Sequence, residues 1–270
     1  MTRSAVMLAL VGAFVASPTA AQDMTLEQVL ERHYEAIGGV EAWKNFGSMK
    51  AVGTFALPAQ GIEAPFTMVQ KRPNKLRLEF TLQGMTGVQA YDGETAWMRM
   101  PFMTGKDEPE RMPDGMAAEL KEDADIDGPL IGYEQEGHQL ELVGLEETEG
   151  TQAYKIKVTR QSGSVIHYFL DAEYYIPIKV EGTRMQMGQE VQFAQILSDY
   201  KEVDGLLLPH SIASQPGPVI TIESYQINVP VADSTFVMPA ASACRDASVS
   251  IFPSASSPVA RAASTHRCRA

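Results

Sequence analysis

Three groups of residues in this chain have the side-chain types that chemistry uses. Ser198 and Lys201 stand in "SDYK", the spacing of serine acyl-enzymes. That pair works when the serine opens a helix, so that both side chains share a face. Here the run ends an alternating segment and leads into the turn signal Asp204-Gly205, so the spacing reads as coincidence. Asp92 and Glu94, in "YDGETAWMRMPF", are two nearby carboxylates. Carboxylates that share acid–base work must face one site. Asp-Gly between alternating residues is instead a hairpin turn, where adjacent side chains point to solvent. The histidines His33, His138, His167, His210 and His266 form no H-x-H pair, no H-E-x-x-H run and no pairing with cysteine. A zinc site needs three or four ligands within reach. No G-x-S-x-G elbow, phosphate-binding P-loop or dinucleotide fingerprint is present. The reading is a non-enzyme with no catalytic residue, no metal and no cofactor.

What the chain has instead is strands. The first element, "TLEQVLERHYEAIGGVEAWKNF", places Leu26, Val29, Leu30, His33 and Ile37 at helical spacing behind the N-cap Thr25, and Gly38-Gly39 stops it. After Ser48 the period becomes two. "KLRLEFTLQ" alternates cleanly, with Leu76, Leu78, Phe80 and Leu82 on one face. Turn signals recur at Asp92-Gly93, Glu149-Gly150, Ser162-Gly163 and Asp204-Gly205. The meander breaks between Pro101 and Gly137, where "DGMAAELKEDADIDGPLIGYEQEG" reads as a helical insert. The expected fold is mainly β: a single curved antiparallel sheet of about eleven strands, because a sheet of that size must curl. The N-terminal helix and the insert would lie in its concave side as a half-barrel. A closed barrel is the alternative.

The ends of the chain differ from its middle. "MTRSAVMLALVGAFVASPTAAQD" reads as a secretory signal, residues 1–21, cut after Ala21, and so places the mature protein in the periplasm. Residues 240–270 are rich in Ala and Ser, hold four arginines against one acid, and read as a disordered tail. Both cysteines, Cys244 and Cys268, lie there; whether they pair is open. Residues 22–239 form one domain. Taking Arg3 and the tail's +3 from the chain's formal −12 leaves −16 for that domain. Such acidity excludes nucleic acid, whose binding rests on neutralising phosphates. It also disfavours anionic membrane surfaces.

"VQKRPNKLRLEF", "YDGETAWMRMPF" and "DGPLIGY" together resemble the LolA family, the periplasmic carriers of outer-membrane lipoproteins. The resemblance is sharpest over Val69 to Phe102. It implies an incomplete antiparallel barrel with lid helices over an apolar cavity. It implies a monomer that takes acyl chains from a membrane-bound donor and passes them to an acceptor. It also implies that Arg72, in the Lys-Arg-Pro-Asn run, bonds the lid and holds it closed. The orphan carbonyls at the end of a lid helix, near "DGPLIGY", are its expected partners. The acidic insert and the tail depart from the family pattern.

The candidate cavity residues are Phe55, Phe66, Met68, Leu78, Phe80, Trp97, Met100, Phe102, Leu130, Ile131 and Tyr133, with Arg72 as latch. Alternation puts Trp97 and Arg99 on one face of their strand and Ala96, Met98 and Met100 on the other. Both faces carry apolar bulk, and the pattern does not say which looks inward. Three functions follow: a carrier for lipid or lipoprotein acyl chains; a sensor or interaction module of the same fold, whose partner is a protein; and a hydrolase on Ser198 and Lys201.

Overall fold

A computed structural model of the chain describes residues 24–240, apart from 187 and 188. The expected signal segment, the expected tail beyond Ala240, both cysteines and His266 lie outside the described residues.

Helix α1 (Leu26–Ala36) opens with a capping box: the Gln28 backbone N–H donates to the Thr25 hydroxyl, and the Thr25 N–H donates to the Gln28 side chain. Two of the orphan donors at the helix start are thereby satisfied. Its buried stripe is Val29, Leu30 and His33. Gly38 ends it with φ +106°, and a Cβ there would overlap the Gly205 carbonyl oxygen. Only glycine lets the corner between α1 and α2 (Val40–Asn45) seat on that distant turn.

The strands are β1 (Ser48–Leu57), β2 (Ile62–Lys71), β3 (Lys75–Leu82), β4 (Met85–Tyr91) and β5 (Ala96–Arg99), followed by α3 (Pro101–Thr104), β6 (Glu110–Arg111) and α4 (Asp114–Asp123). Then come β7 (Gln139–Thr148), β8 (Thr151–Thr159), β9 (Val165–Asp171), β10 (Pro177–Gln186), β11 (Gln189–Val203), β12 (Leu206–Gln215) and β13 (Val219–Ile227). They form one antiparallel sheet of thirteen strands in the order β6-β5-β4-β3-β2-β1-β13-β12-β11-β10-β9-β8-β7. The count exceeds the expected eleven. The two-residue β6 lies within the expected break from Pro101 to Gly137 and has no room for an alternation to show.

The sheet is open, with β6 and β7 as its edges. One meander runs from β1 out to β6. The insert, residues 112–138, then carries the chain to the opposite edge, and a second meander returns to β13 beside β1. The insert therefore spans the opening that a closed barrel would have sealed with strand pairing. Its helix α4 lies against β3, β4 and β5 on one arm and β10 on the other, so the sheet curls around it.

The register identifies the inner face. Phe55, Phe66, Met68, Leu76, Leu78, Phe80, Tyr91, Ala96 and Met98 share it. Leu120 and Ala124 pack on Leu76, Tyr91, Ala96 and Met112. On the other arm, Val29 and Leu30 of α1 pack on Ile156, Val158, Ile166, Leu170 and Val180. Between them Phe46, Met49, Ile126, Leu206 and Leu208 form a third cluster. Each fully buried aliphatic side chain contributes ~1.5–3 kcal/mol, so the helices are held inside chiefly by apolar burial.

The outer face of the first meander is covered by residues 228–239. The Ser48 hydroxyl donates to the Val229 carbonyl at 2.6 Å, Lys71 to the Val231 carbonyl at 2.8 Å, and Arg77 to the Thr235 carbonyl at 2.9 Å. The Trp97 indole N–H donates to the Phe236 carbonyl at 2.7 Å. This strap makes Trp97 one of the most buried side chains of the described residues.

Candidate functional site

Strand β2 ends at Lys71, and Arg72 follows at the rim of the half-barrel, before a cis Arg72–Pro73 bond. Its guanidinium is held from two sides. Nε donates to the Phe46 carbonyl and one terminal nitrogen to the Trp43 carbonyl, both at 2.8 Å. The two terminal nitrogens also grip the Asp127 carboxylate at 2.7 and 2.5 Å. The carbonyls belong to the end of α2, where a helix leaves acceptors without donors. Asp127 belongs to the insert. The expected carbonyl partners are thus found on α2 rather than on the insert helix. What Arg72 meets in "DGPLIGY" is a carboxylate in the bidentate geometry that a planar guanidinium favours.

Other bonds hold the insert to both arms. The Tyr34 hydroxyl of α1 donates to the Leu130 carbonyl at 2.7 Å. The Gln70 amide donates to the Asp123 carbonyl at 3.0 Å. On the far arm, Glu122 accepts from Arg160 and from the Ser162 hydroxyl. Sequence reasoning missed Asp127, Tyr34, Gln70 and Glu122. Asp127 opens a quoted run, but nothing local in a sequence pairs it with an arginine that far upstream.

The inner face divides into a covered and a less covered part. Met68 and Leu78 lie under α4. Leu130 joins the α1 cluster, Tyr133 packs at its margin, and Ile131 is buried. Toward the other end of the strands, Phe55 stacks on Phe80 with centroids 5.7 Å apart, and Phe80 meets Phe102 at 5.6 Å. Phe66 pairs with Phe80 across β2 and β3. Gly87 leaves the space that Met100 and Phe102 fill: a Cβ there would lie 2.8 Å from the Phe102 ring and 2.9 Å from the Met100 sulfur. Phe55, Phe80 and Phe102 are only half-buried, and Met103 beside them is exposed. Trp97 does not belong to this set. It faces outward under the strap, with Arg77 over its ring, because the inward set of β5 is Ala96 and Met98.

Two hollows meet at the insert. An apolar space of about 140 Å³ lies among His33, Ile37, Trp43, Gly128, Leu130, Ile131, Tyr168, Leu197 and Leu208. A polar cleft of about 910 Å³ lies outside it, between Arg72–Asn74, the insert and Arg160–Ser162. Asp127 and Pro129 line both. Burial raises the Asp125 carboxyl in the cleft to about 6. Burial also lowers His33 to about 4, and its Nδ1 lies 2.8 Å from the Tyr175 carbonyl.

Ser198 with Lys201, and Asp92 with Glu94, are placed apart from both hollows, whereas His33 lines the apolar space and His138 the polar cleft. Lys201 is bonded to Asp199 on strand β11, and Ser198 lies on the same strand rather than at a helix start. Asp92 accepts from the backbone N–H groups of Glu94 and Thr95, closing its turn. Among the described residues no group of three His, Cys, Asp or Glu is placed to hold a metal ion. No helix among them is long and apolar enough to cross a membrane.

The fold is LolA-like. A LolA superfamily protein from Nitrosomonas europaea superposes with a TM-score of 0.54 at 14% identity, over 79% of this chain and 98% of that one. A Vibrio parahaemolyticus domain that carries the name of outer-membrane lipoprotein-sorting proteins gives 0.52 at 14% identity, over 78% and 96%. A DUF1329 family protein from Desulfovibrio piger gives 0.52 at 12%, over 77% and 97%. At such identities the likeness is one of fold. No protein-family profile and no curated protein matches the sequence.

Proposed function

We propose that this protein is a non-catalytic periplasmic carrier for lipid, with lipoprotein acyl chains as the first candidate cargo. In this reading residues 1–21 are removed on export, and the domain 22–239 works as a monomer between a membrane-bound donor and an acceptor. The observation that carries it is the apolar inner face of an open sheet, spanned by an insert that Arg72 ties to the opposite wall through Asp127. Burial of each methylene contributes ~0.8 kcal/mol, so a long chain needs no polar chemistry for useful affinity. The apolar space of about 140 Å³ is below the ~300 Å³ of ordinary ligand sites, so cargo enters only when the insert moves. The test is lipid extraction and native mass spectrometry of protein purified from periplasm. Co-purifying lipid supports the carrier; a protein that holds none and binds no hydrophobic probe sinks it.

The same small volume favours a second reading. An inner face filled by its own side chains suits a sensor or interaction module whose partner is a protein. A stable protein partner recovered by pull-down, with no lipid bound, would select it.

A further inference from the structure

The two hollows share a wall, and the wall is the segment that Arg72 holds. Asp127 and Pro129 line the apolar space on one side and the polar cleft on the other. A molecule that occupied both would need an apolar part and a polar part, joined where Asp127–Pro129 now lies. The carrier reading asks only for the apolar part. The cleft specifies more.

Arg72 is fixed independently of Asp127. Its bonds to the Trp43 and Phe46 carbonyls hold the guanidinium plane whether or not Asp127 is present. Two of its three remaining N–H donors form a ready fork for two oxygens, and Asp127 fills it. A carboxylate or a phosphate has the same planar pair of acceptors. Lys121 also lines the cleft, is exposed, and has no ion-pair partner among the described residues. Asp125 and Glu136 stand nearby: Asp125 accepts the Asp127 backbone N–H at 3.1 Å, while its repulsion of the Asp127 carboxylate applies to an incoming anion as well.

We infer that the ligand is an anionic amphiphile, a long apolar chain ending in a carboxylate or phosphate, whose head replaces Asp127 on Arg72 while its chain enters the apolar space. This rests on the carrier reading. It adds that head recognition and opening are coupled: the exchange that binds the head removes the Arg72 tie on Asp127 and leaves the segment held through Leu130, on the Tyr34 hydroxyl and the α1 cluster.

The test compares cis-parinaric acid with its methyl ester, two fluorescent probes that differ only in the head. Both are titrated into the purified chain below their aggregation concentrations, at about 0.15 M salt so that long-range charge effects are screened within ~8 Å. One lost charge-assisted pair is worth at least about tenfold in affinity. The acid should therefore bind at least about tenfold more tightly than the ester. In Arg72→Leu that ratio should fall to about one. In Asp127→Asn, where the internal competitor is weakened, the acid should bind more tightly than to the unaltered chain. A gain seen with the acid and not with the ester is an outcome that misfolding, which exposes apolar surface to both probes, does not produce. Equal binding of acid and ester, or a ratio that survives Arg72→Leu, overturns the anionic head and leaves the carrier reading standing. Binding of neither probe overturns both. Inorganic phosphate that displaces the acid at equal concentration would mark a site for free anions and overturn the amphiphile.

Discussion

The Arg72–Asp127 pair can be weighed by a double-mutant cycle on stability. Arg72→Leu removes four hydrogen bonds, two to carbonyls of α2 and two to the Asp127 carboxylate. The two carbonyls lose a donor at a cost of about 1 kcal/mol each. The ion pair is intermediate in exposure, with side chains 26% and 20% accessible. Exposed pairs contribute up to about 1 kcal/mol, and breaking a buried one costs ~3–5 kcal/mol. About 2 kcal/mol is a reasonable coupling between these limits, or about thirty-fold in an opening equilibrium. Arg72→Leu should then lose about 4 kcal/mol, and Asp127→Asn about 2. The double variant should cost little more than Arg72→Leu alone, since the pair is already gone. Urea unfolding with an unchanged m-value reads these differences. Hydrogen exchange should quicken over residues 124–138 in both single variants. Equal losses in the two single variants, or a coupling under about 0.5 kcal/mol, would refute the assignment of Arg72 as a two-sided tie.

The remaining expectations concern pH and the strap. Burial raises the Asp125 carboxyl to about 6, so the folded chain keeps a proton that the unfolded chain, near ~3.9, releases. Its contribution is full below the unfolded value and is lost as pH rises through the folded one. Asp125→Asn should therefore stabilise the protein near neutral pH, on the order of 1 kcal/mol after solvent screening, and not below about pH 4; a stabilisation independent of pH would contradict this. His33 has the opposite sign. Its folded value of about 4 lies below the unfolded ~6.5, so stability is full above ~6.5 and is lost as pH falls toward 4. An imidazole signal that titrates near 6.5 in the folded protein would rule that out. Trp97→Phe keeps a ring but leaves the Phe236 carbonyl without its donor, at a cost of about 1–3 kcal/mol. Limited proteolysis should then cut first within residues 228–239, and an unchanged digestion pattern would count against the strap's dependence on that bond.

The meander was legible because its turns announce themselves locally. Asp92-Gly93, Glu149-Gly150 and Asp204-Gly205 each join neighbouring strands, and Gly93, Glu149, Gly150, Asp204 and Gly205 all take positive φ. The inward side of β5 was not legible. Its two faces hold Trp97 with Arg99, and Ala96 with Met98, and both are apolar enough to bury. What decides is the strap around Phe236, far along the chain, which covers one face while α4 covers the other. A period-two pattern separates two faces and does not rank them. Arg72 was singled out by its motif, but its carboxylate partner depends on how an insert between two sheet edges folds back. That information is tertiary.

Strand order also governs when the sheet can be finished. Every neighbouring pair in it is consecutive along the chain except β1 with β13, where Met49 lies opposite Ile227. Hairpins between consecutive strands form in microseconds, while closing a long loop carries a larger entropic cost. A chain delivered from its N-terminus can therefore complete both meanders before their joint. Until residues 219–227 arrive, β1 is a bare edge, the kind of surface on which other strands add and chains aggregate. The joint itself has little tolerance: the register shifts at Val52/Gly53, where β13 holds one extra residue, Glu223, and a Cβ on Gly53 would overlap the Thr221 carbonyl oxygen. A side chain at that one position would leave each meander free to fold and block only their union, so its cost would be paid late, as an assembled pair of halves with no seam.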